Sequence, residues 1–185
     1  MRIEKTKLEG LIIIHPDVFS DNRGWFTESY NQQKYRALGI DVAFIQDNHS
    51  YSKEIGTLRG MHFQTGKFAQ SKLVRCIRGN LMDVCVDLRK NSPTYLQWDC
   101  IELSAENKLQ LFVPKGFAHG FVTLSEDVEI LYKVDELYSK EYDSGIIYND
   151  TQINIDWSRI LPNIDFIISE KDKNLRTIKE VELDF

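Results

Sequence analysis

The segment KLVRCIRGNLMDVCVDL, residues 72–88, decides the fold class of this 185-residue chain. Two runs rich in Val, Leu, Ile and Cys flank the pair Gly79-Asn80. Because a glycine in the first position suits a type II′ turn, the segment predicts a β-hairpin that joins a strand over 72–77 to a strand over 81–88. We therefore expect antiparallel strands to dominate the structure.

Similar short apolar runs, separated by turn residues, continue along the chain at the spacing expected of a β-sandwich or barrel. The further strand candidates are residues 97–103, 109–113, 117–124 and 128–134. Helix signals are few: Asn31 can cap a helix over 32–38 that Gly39 ends, and Ser169 can cap a C-terminal helix over about 170–179. The sequence predicts a mainly β fold, a jelly-roll double sheet with short peripheral helices.

Composition limits the classes of protein to which the chain can belong. With 42% hydrophobic residues it can bury one substantial core, so we expect a single domain over 1–185. The net charge of −5 and the lack of a basic run argue against nucleic-acid binding. The apolar run 11–14 is too short for a signal peptide or a membrane span, and the three cysteines lack disulfide-framework spacing. We therefore expect a cytoplasmic protein with reduced thiols.

A candidate site lies in residues 56–64 together with Lys72. His62 is a titratable imidazole near two cationic side chains, Arg59 and Lys72, in strand-like sequence. This combination suits removal of a proton from a carbon beside a carbonyl, because the imidazole takes the proton while a cation stabilises the enolate oxygen.

Strand alternation decides which of these side chains share a face. Lys72 lies on the face of Val74, so we expect a buried lysine that needs a partner or a ligand. His62 and Arg59 would fall on opposite faces of an ideal strand. For both to reach one site the chain has to bend, and Gly60 is the residue that permits a bend.

Seven blocks, in order over nearly the whole chain, carry a resemblance to a known family. They are Asp21-Asn-Arg-Gly24 with Phe26 and Glu28, Gln46-Asp-Asn-His-Ser50, Leu58-Arg-Gly-Met-His-Phe-Gln64, Lys72-Leu-Val74, Asp87-Leu-Arg89 with Ser92-Pro-Thr94, Pro114-Lys-Gly-Phe-Ala-His-Gly-Phe121 with Leu124-Ser125, and Leu131-Tyr-Lys133. In these blocks the chain is similar to the dTDP-4-dehydrorhamnose 3,5-epimerases.

The resemblance implies the family's fold, a double-stranded β-helix or cupin-like jelly roll that forms a homodimer by exchanging N-terminal strands. It also implies the family's reaction, cofactor-free epimerisation of dTDP-4-dehydro-6-deoxy-D-glucose at carbons 3 and 5 to dTDP-4-dehydro-L-rhamnose. That reaction belongs to dTDP-L-rhamnose biosynthesis, which supplies lipopolysaccharide or cell-wall polysaccharide.

Four positions match the family's catalytic residues. His62 resembles the general base that removes the protons, and Asp172 matches the carboxylate that orients this base. Tyr132 resembles the acid that returns a proton from the other side of the sugar. Lys72, with Arg59, would offset the charge on the enolate oxygen at carbon 4.

Eight further positions match substrate-binding residues of the family: Arg23, Phe26, Glu28, Gln46, Asn48, Arg59, His119 and Tyr138. The two arginines resemble ligands of the diphosphate, because a planar guanidinium suits bidentate contact with phosphate oxygens. The amides at 46 and 48 resemble contacts to the nucleotide or sugar. Phe26 and Glu28 resemble the two residues with which a neighbouring subunit contacts the thymine. Tyr138 resembles a residue that lines the same pocket. For His119 the resemblance implies only a supporting role near the site.

Each of these residues also has a purely structural interpretation. Asp172 could serve a helix N-terminus in a capping box that starts at Ser169. Tyr132 could be a core residue, and Lys72 could extend along the surface to solvent. The remaining alternatives are a structural strand histidine at 62, an exposed turn residue at 23, and interface packing alone at 26 and 28.

A metal site is a further alternative, because residues 114–119 have the Pro-x-Gly-x-x-His pattern of metal-binding cupins. The other ligands are missing. The chain has His62-Phe63-Gln64 where a His-x-His would be needed, no Glu follows at the required spacing, and Thr123 occupies the later ligand position. We therefore expect neither a metal nor another cofactor.

The reaction itself has alternatives. One jelly roll with one base could instead invert a single carbon, or act as a 3,4-ketoisomerase on a related nucleotide 4-ketosugar; Tyr132 favours double epimerisation. From another class of protein, the chain could be a non-catalytic jelly roll that binds a nucleotide sugar.

Overall fold

The computed structural model describes residues 1–185, which form fourteen strands and three short helices. The strands are β1 Arg2–Lys5, β2 Ile12–His15, β3 Phe19–Asp21, β4 Gly24–Phe26, β5 Gln46–Ser52, β6 Thr57–Gln64, β7 Lys72–Arg78, β8 Asn80–Asp87, β9 Trp98–Ser104, β10 Gln110–Val113, β11 Phe117–Thr123, β12 Val128–Val134, β13 Asp143–Gly145 and β14 Ile167–Ile168. The helices are α1 Gln32–Ala37, α2 Trp157–Ile160 and α3 Glu170–Lys173, and 3-10 turns cover Gly66–Phe68 and Ile178–Glu180. None of the helices has the length and apolar character needed to cross a membrane.

Two six-stranded sheets hold most of these strands. The first sheet has the order β1-β2-β10-β7-β12-β5, and the second has the order β13-β6-β11-β8-β9 with β14 beside β6. Except for β14, which lies parallel to β6, neighbouring strands pair antiparallel, and several partners are distant in sequence, such as β2 with β10 and β6 with β11. This is a jelly roll, so the mainly β fold class predicted from the sequence is confirmed.

Three apolar clusters stabilise the sheets. The largest lies between them and includes Val74 and Ile130 from the first sheet and Phe121 from the second. A second cluster packs the C-terminal segment, with Trp157, on the outer face of the second sheet. The third places Tyr35 of α1 on the outer face of the first sheet. Full burial of side chains of this size is worth roughly 1.5–3 kcal/mol each, so the sheets form a fixed frame for polar groups between them.

The predicted hairpin over residues 72–88 is wrong. Both strands exist, but β7 pairs with β10 and β12, whereas β8 pairs with β9 and β11 in the other sheet. Gly79, with φ +70°, is a corner where the chain crosses between the sheets. A Cβ there would lie 2.6 Å from the Oγ of Ser125, so the corner packs closely on the turn between β11 and β12. A corner between two sheets and a hairpin turn use the same residue types. Only the strands with which β7 and β8 pair, which lie far along the chain, distinguish the two structures.

The predicted C-terminal helix over about 170–179 is also wrong in its length. The Oγ of Ser169 accepts a hydrogen bond from Asp172 N, as predicted, but α3 ends at Lys173. Arg176 then forms a β-bridge with Ile146, and Thr177 begins a separate 3-10 turn with Glu180 in its capping box. Backbone pairing with a distant segment therefore replaces the helix.

The helix predicted at Asn31 is confirmed. The Asn31 side chain accepts hydrogen bonds from Gln33 N and Lys34 N, α1 spans Gln32–Ala37, and Gly39 follows with φ +88°. The strands predicted at 97–103, 109–113, 117–124 and 128–134 are also present, with ends that differ by at most one residue.

Candidate active site

A cavity of about 560 Å³ opens between the two sheets. The first sheet contributes β5, β7 and β12, the second contributes β6 and β11, and residues 167–172 form a further wall. A second cleft of about 250 Å³ shares four lining residues with the cavity and extends it outward: His62, Lys72, Tyr132 and Lys171. All four predicted catalytic residues line the cavity.

His62 and Asp172 form a hydrogen-bonded pair on one wall. The Nε2–H of His62 donates to Asp172 Oδ1 at 2.9 Å, and the amide of Gly60 donates to Oδ2 at 3.0 Å. Asp172 is 4% exposed. Burial raises the pKa of this carboxyl, but the hydrogen bonds from His62 and Gly60 outweigh burial and keep its pKa below the usual value. The carboxylate therefore holds the proton of His62 on Nε2 and leaves Nδ1 as the nitrogen that can accept a proton.

The capping interpretation of Asp172 is thus only half right. Its backbone amide receives the cap from Ser169, while its carboxylate faces His62. The short helix α3 positions a side chain for the site.

The bend predicted at Gly60 is present. Gly60 has φ +121°, the pairing of β6 with β11 shifts register at this point, and both Arg59 and His62 line the cavity. Gly60 and Gly120 face each other so closely that a Cβ on Gly60 would lie 2.6 Å from the Cα of Gly120. Two glycines therefore allow β6 to turn both side chains towards one space.

Lys72 and Tyr132 lie on the opposite wall. They occupy adjacent strands of the first sheet, where Val134 pairs with Lys72 and Tyr132 pairs with Val74. Burial lowers the pKa of Lys72, and the nearby carboxylates of Asp83 and Asp143 oppose this shift. Lys72 is partly buried and lines the cavity, so its side chain does not extend along the outer surface.

Burial also raises the pKa of Tyr132, with a smaller opposing effect from Arg59, so the phenol keeps its proton to higher pH than a free tyrosine. Tyr132 is half-buried and faces the cavity with Val74 and Ile130. The phenol is therefore part of the cavity wall rather than of the closed core.

His119 lies on the cavity floor. It is the cross-strand partner of His62, and its Nε2 forms a 2.9 Å hydrogen bond with Asp83 Oδ2. Burial lowers the pKa of His119, although Asp83 acts in the opposite direction. Asp83 was not expected from the sequence, because a single Asp inside an apolar strand gives no local sign of its partner.

Arg59 is fixed in place by strand β5. Its Nε donates to Ser52 Oγ and its Nη2 donates to the carbonyl oxygen of Tyr51, each at 3.1 Å. The guanidinium is thereby held at the cavity without an acidic partner, which leaves its charge available to an anion.

Three predicted binding residues, Gln46, Asn48 and Tyr138, line the outer cleft. Sequence reasoning missed two charged residues there, Lys171 and Asp143. Lys171 donates from Nζ to Asp143 Oδ2 at 2.8 Å, and the Tyr138 hydroxyl donates to the same oxygen at 3.3 Å. A lysine beside Asp172 in a polar segment resembles an ordinary surface charge, so only its position next to the matched carboxylate could have indicated it.

Arg23, Phe26 and Glu28 do not reach the cavity of their own chain. Arg23 is an exposed turn residue that donates to Asp21, and Glu28 pairs with Lys34 at 2.9 Å. Phe26 is 67% exposed on the ribbon formed by β3 and β4.

No group of three or more His, Cys, Asp or Glu side chains is arranged to hold a metal ion.

Comparison with known proteins decides the family. A sequence profile of dTDP-4-dehydrorhamnose 3,5-epimerases matches residues 5–180. The dTDP-4-dehydrorhamnose 3,5-epimerase of Methanothermobacter thermautotrophicus is 51% identical over 179 residues, which cover 97% of this chain and 95% of the relative. The chain belongs to the dTDP-4-dehydrorhamnose 3,5-epimerase family. The family and the isomerase class predicted from the sequence are thus confirmed.

Solved structures related to this family have the same fold. The dTDP-6-deoxy-D-glucose-3,5-epimerase of Legionella pneumophila, in complex with dTDP-4-keto-L-rhamnose, superposes with a TM-score of 0.91 at 40% identity, covering 98% of this chain and 94% of that one. A 3'-monoepimerase of Streptomyces bikiniensis, in complex with dTDP-quinovose, gives a TM-score of 0.85 at 28% identity, covering 96% and 87%. Fold alone therefore does not separate single from double epimerisation, whereas identity favours the latter.

Proposed function

We propose that the protein converts dTDP-4-dehydro-6-deoxy-D-glucose to dTDP-4-dehydro-L-rhamnose by inverting carbons 3 and 5. The observation that carries this proposal is the placement of His62 and Tyr132 on opposite sheets across one cavity. Inversion of a carbon requires that a proton leaves from one face of the sugar and another arrives from the opposite face. A base and an acid that face each other across the sugar meet this requirement.

His62 is the base in this mechanism. Its Nδ1 accepts the proton, and Asp172 stabilises the imidazolium that results. A positioned base of this kind contributes roughly 10²- to 10⁴-fold in rate.

Lys72 stabilises the enolate. Carbons 3 and 5 both neighbour the carbonyl at carbon 4, so one ammonium beside that oxygen serves both deprotonations. A charge in a partly enclosed cavity acts more strongly than in bulk solvent, since the local dielectric constant is lower.

Tyr132 supplies the proton on the other face. Its raised pKa keeps the phenol protonated through the neutral range, so the acid is ready when the enolate forms. The tyrosinate then takes a proton from solvent and the His62 imidazolium releases its proton to solvent, so both groups are ready for the second carbon.

The nucleotide diphosphate occupies the mouth of the cavity. Arg59, held by Ser52, suits a phosphate oxygen, and Lys171 adds a second cation nearby. Gln46, Asn48 and Tyr138 on the outer cleft are the groups that contact the nucleotide or sugar.

A second subunit completes the site. Phe19, Trp25 and Phe26 are 63%, 58% and 67% exposed on the β3–β4 ribbon. A homodimer that exchanges this N-terminal region buries these rings and brings Arg23, Phe26 and Glu28 to the partner's cavity, where the ring stacks on thymine and the carboxylate reads its imide edge.

Two further expectations accompany this function. The apolar cluster shared by both sheets supports one domain over residues 1–185. The three free cysteines fit the reducing cytoplasm, which is the location we propose.

Turnover in deuterated water tests the proposal. Deuterium at both carbons 3 and 5 of the product is the expected result, because each inversion replaces a carbon-bound hydrogen with one from solvent. Label at a single carbon would assign the chain to single-carbon epimerases. An absence of label with intact binding would make it a non-catalytic binder.

A further inference from the structure

Gln64 is a buried residue of strand β6 that the mechanism above does not use. It is 4% exposed, although it adjoins the outer cleft. Its carboxamide makes three hydrogen bonds to backbone groups. Nε2 donates to the carbonyl oxygens of Phe68 at 2.8 Å and Leu137 at 3.0 Å, and Oε1 accepts from the amide of Ser139 at 2.7 Å.

Two of these bonds flank Tyr138. The carbonyl group of Leu137 and the amide of Ser139 are the backbone groups on either side of it, so one carboxamide fixes the backbone before and after the tyrosine. Tyr138 is 59% exposed, and Leu137 beside it is 53% exposed. Packing therefore contributes little to the position of this loop, and hydrogen bonds hold it: Gln70 donates to the carbonyl oxygen of Glu136, and only Gln64 bonds the backbone on both sides of Tyr138.

The backbone of Gln64 acts on the same tyrosine by a second route. Gln64 is the cross-strand partner of Asp143, whose Oδ2 accepts the hydrogen bond from the Tyr138 hydroxyl. Gln64 thus holds both the backbone and the hydroxyl partner of Tyr138.

We propose that Gln64 is a positioning residue for the nucleotide end of the substrate and that it acts through Tyr138. This inference rests on the proposed contact of Tyr138 with substrate. Gln64 touches neither His62 Nδ1 nor the sugar carbons in this scheme. Its loss therefore weakens binding and leaves the chemical step intact.

Steady-state kinetics of Gln64→Met, Tyr138→Ala and the double variant test the proposal. Gln64→Met keeps the side-chain length but removes all three hydrogen bonds. We expect KM for the dTDP-ketosugar to rise about tenfold, with kcat changed by less than about twofold. In the Tyr138→Ala background, Gln64→Met should raise KM no further, because the two residues form one unit.

Asp150→Leu is the matched control. Asp150 is also 4% exposed and accepts three backbone hydrogen bonds, from Gln152, Ile153 and Ile178, but it lines neither cleft. We expect it to lower the melting temperature and leave KM unchanged. If Gln64→Met folds poorly, Gln64→Glu provides the same test, since its carboxylate keeps the acceptor and loses both donors.

The outcomes separate this inference from the binding role of Tyr138. If Tyr138→Ala raises KM while Gln64→Met matches the wild type, the inference about Gln64 alone is wrong. Effects that multiply in the double variant, or an equal rise of KM in Asp150→Leu, also overturn it. If Tyr138→Ala leaves KM unchanged, Tyr138 does not bind substrate and both statements are wrong.

Discussion

The ammonium group of Lys72 faces a cavity that it shares with the protonated phenol of Tyr132 and the imidazole of His62. Burial of a charged group destabilises the folded state unless a partner compensates it, and the carboxylates of Asp83 and Asp143 oppose the effect of burial on Lys72 without outweighing it. A fold retains such a group when its charge is used. At the residue scale, the proposed reaction therefore depends on three side chains, His62, Lys72 and Tyr132, that line one cavity.

Replacing His62 with Asn tests the base. We expect kcat to fall by about 10²- to 10⁴-fold, because the asparagine cannot accept a proton. His49→Asn is the control, since His49 also pairs with a carboxylate, Glu129 at 2.8 Å, but lies on the exposed side of β5. The measurement is kcat of both variants with the ketosugar. Similar losses of kcat in the two variants would contradict the assignment of His62 as the base.

The charge of Lys72 should set an alkaline limit on the reaction. Because burial lowers its pKa, Lys72 loses its proton at a lower pH than an ordinary lysine, and the rate should fall there. In Lys72→Arg the charge persists, so any activity that remains should continue to higher pH. Profiles of kcat/KM against pH measure this, and coincident alkaline limbs for both proteins would argue against an ammonium at the enolate.

Lys72 should also reduce stability. A lysine whose pKa is lower in the folded than in the unfolded state destabilises the fold fully below the folded pKa. This destabilisation decreases as pH rises from the folded to the unfolded pKa and is gone above the latter. We expect Lys72→Met to raise the melting temperature at neutral pH, with a smaller gain at alkaline pH, while kcat falls by about 10²- to 10³-fold. A melting temperature below that of the wild type would show that Lys72 is compensated.

At the scale of elements, the site depends on a bend in β6 and on pairing between strands. The sequence supports β12 at Val128–Val134, and alternation correctly places Lys72 with Val74. The sequence does not predict which residues pair when the partners are distant along the chain. His62 and Asp172 are 110 residues apart, so only the family resemblance predicts their pairing, and no local signal distinguishes the corner at Gly79 from a hairpin.

Gly60→Ala tests the bend. Its Cβ would lie 2.6 Å from Gly120 Cα and 2.9 Å from the carbonyl oxygen of His119, at a φ of +121°. Gly39→Ala is the control, because Gly39 has φ +88° with no atom within 4 Å of the added Cβ. The backbone strain alone costs roughly 1–3 kcal/mol in each. Chemical denaturation should show a larger loss in Gly60→Ala, together with a lower kcat; equal losses would mean that close approach of β6 and β11 is unimportant.

At the scale of the whole molecule, one chain has a cavity with base, acid and ammonium, and an exposed aromatic ribbon that does not line this cavity. The sequence alone could not place Arg23, Phe26 and Glu28, because their expected contacts lie on another copy of the chain. The cavity and the ribbon are therefore two halves of one proposed site.

Mixed dimers test whether the ribbon acts in the partner. A His62→Asn subunit has an inactive cavity and an intact ribbon. A subunit that carries both Phe26→Ala and Glu28→Ala has an intact cavity and a defective ribbon. If ribbons serve the partner, each mixed dimer has one complete site, and an equal mixture should recover about a quarter of wild-type activity. Activity no greater than that of the separate variants would show that each ribbon serves its own chain.

Hydrogen exchange catalysed by Tyr132→Phe is the most direct test of a base and an acid on opposite walls. In deuterated water, NMR of the ketosugar should show that Tyr132→Phe still exchanges hydrogen at carbon 3 or carbon 5 while inversion is severely slowed, and that His62→Asn loses both. Exchange that persists in His62→Asn and disappears in Tyr132→Phe would contradict the account.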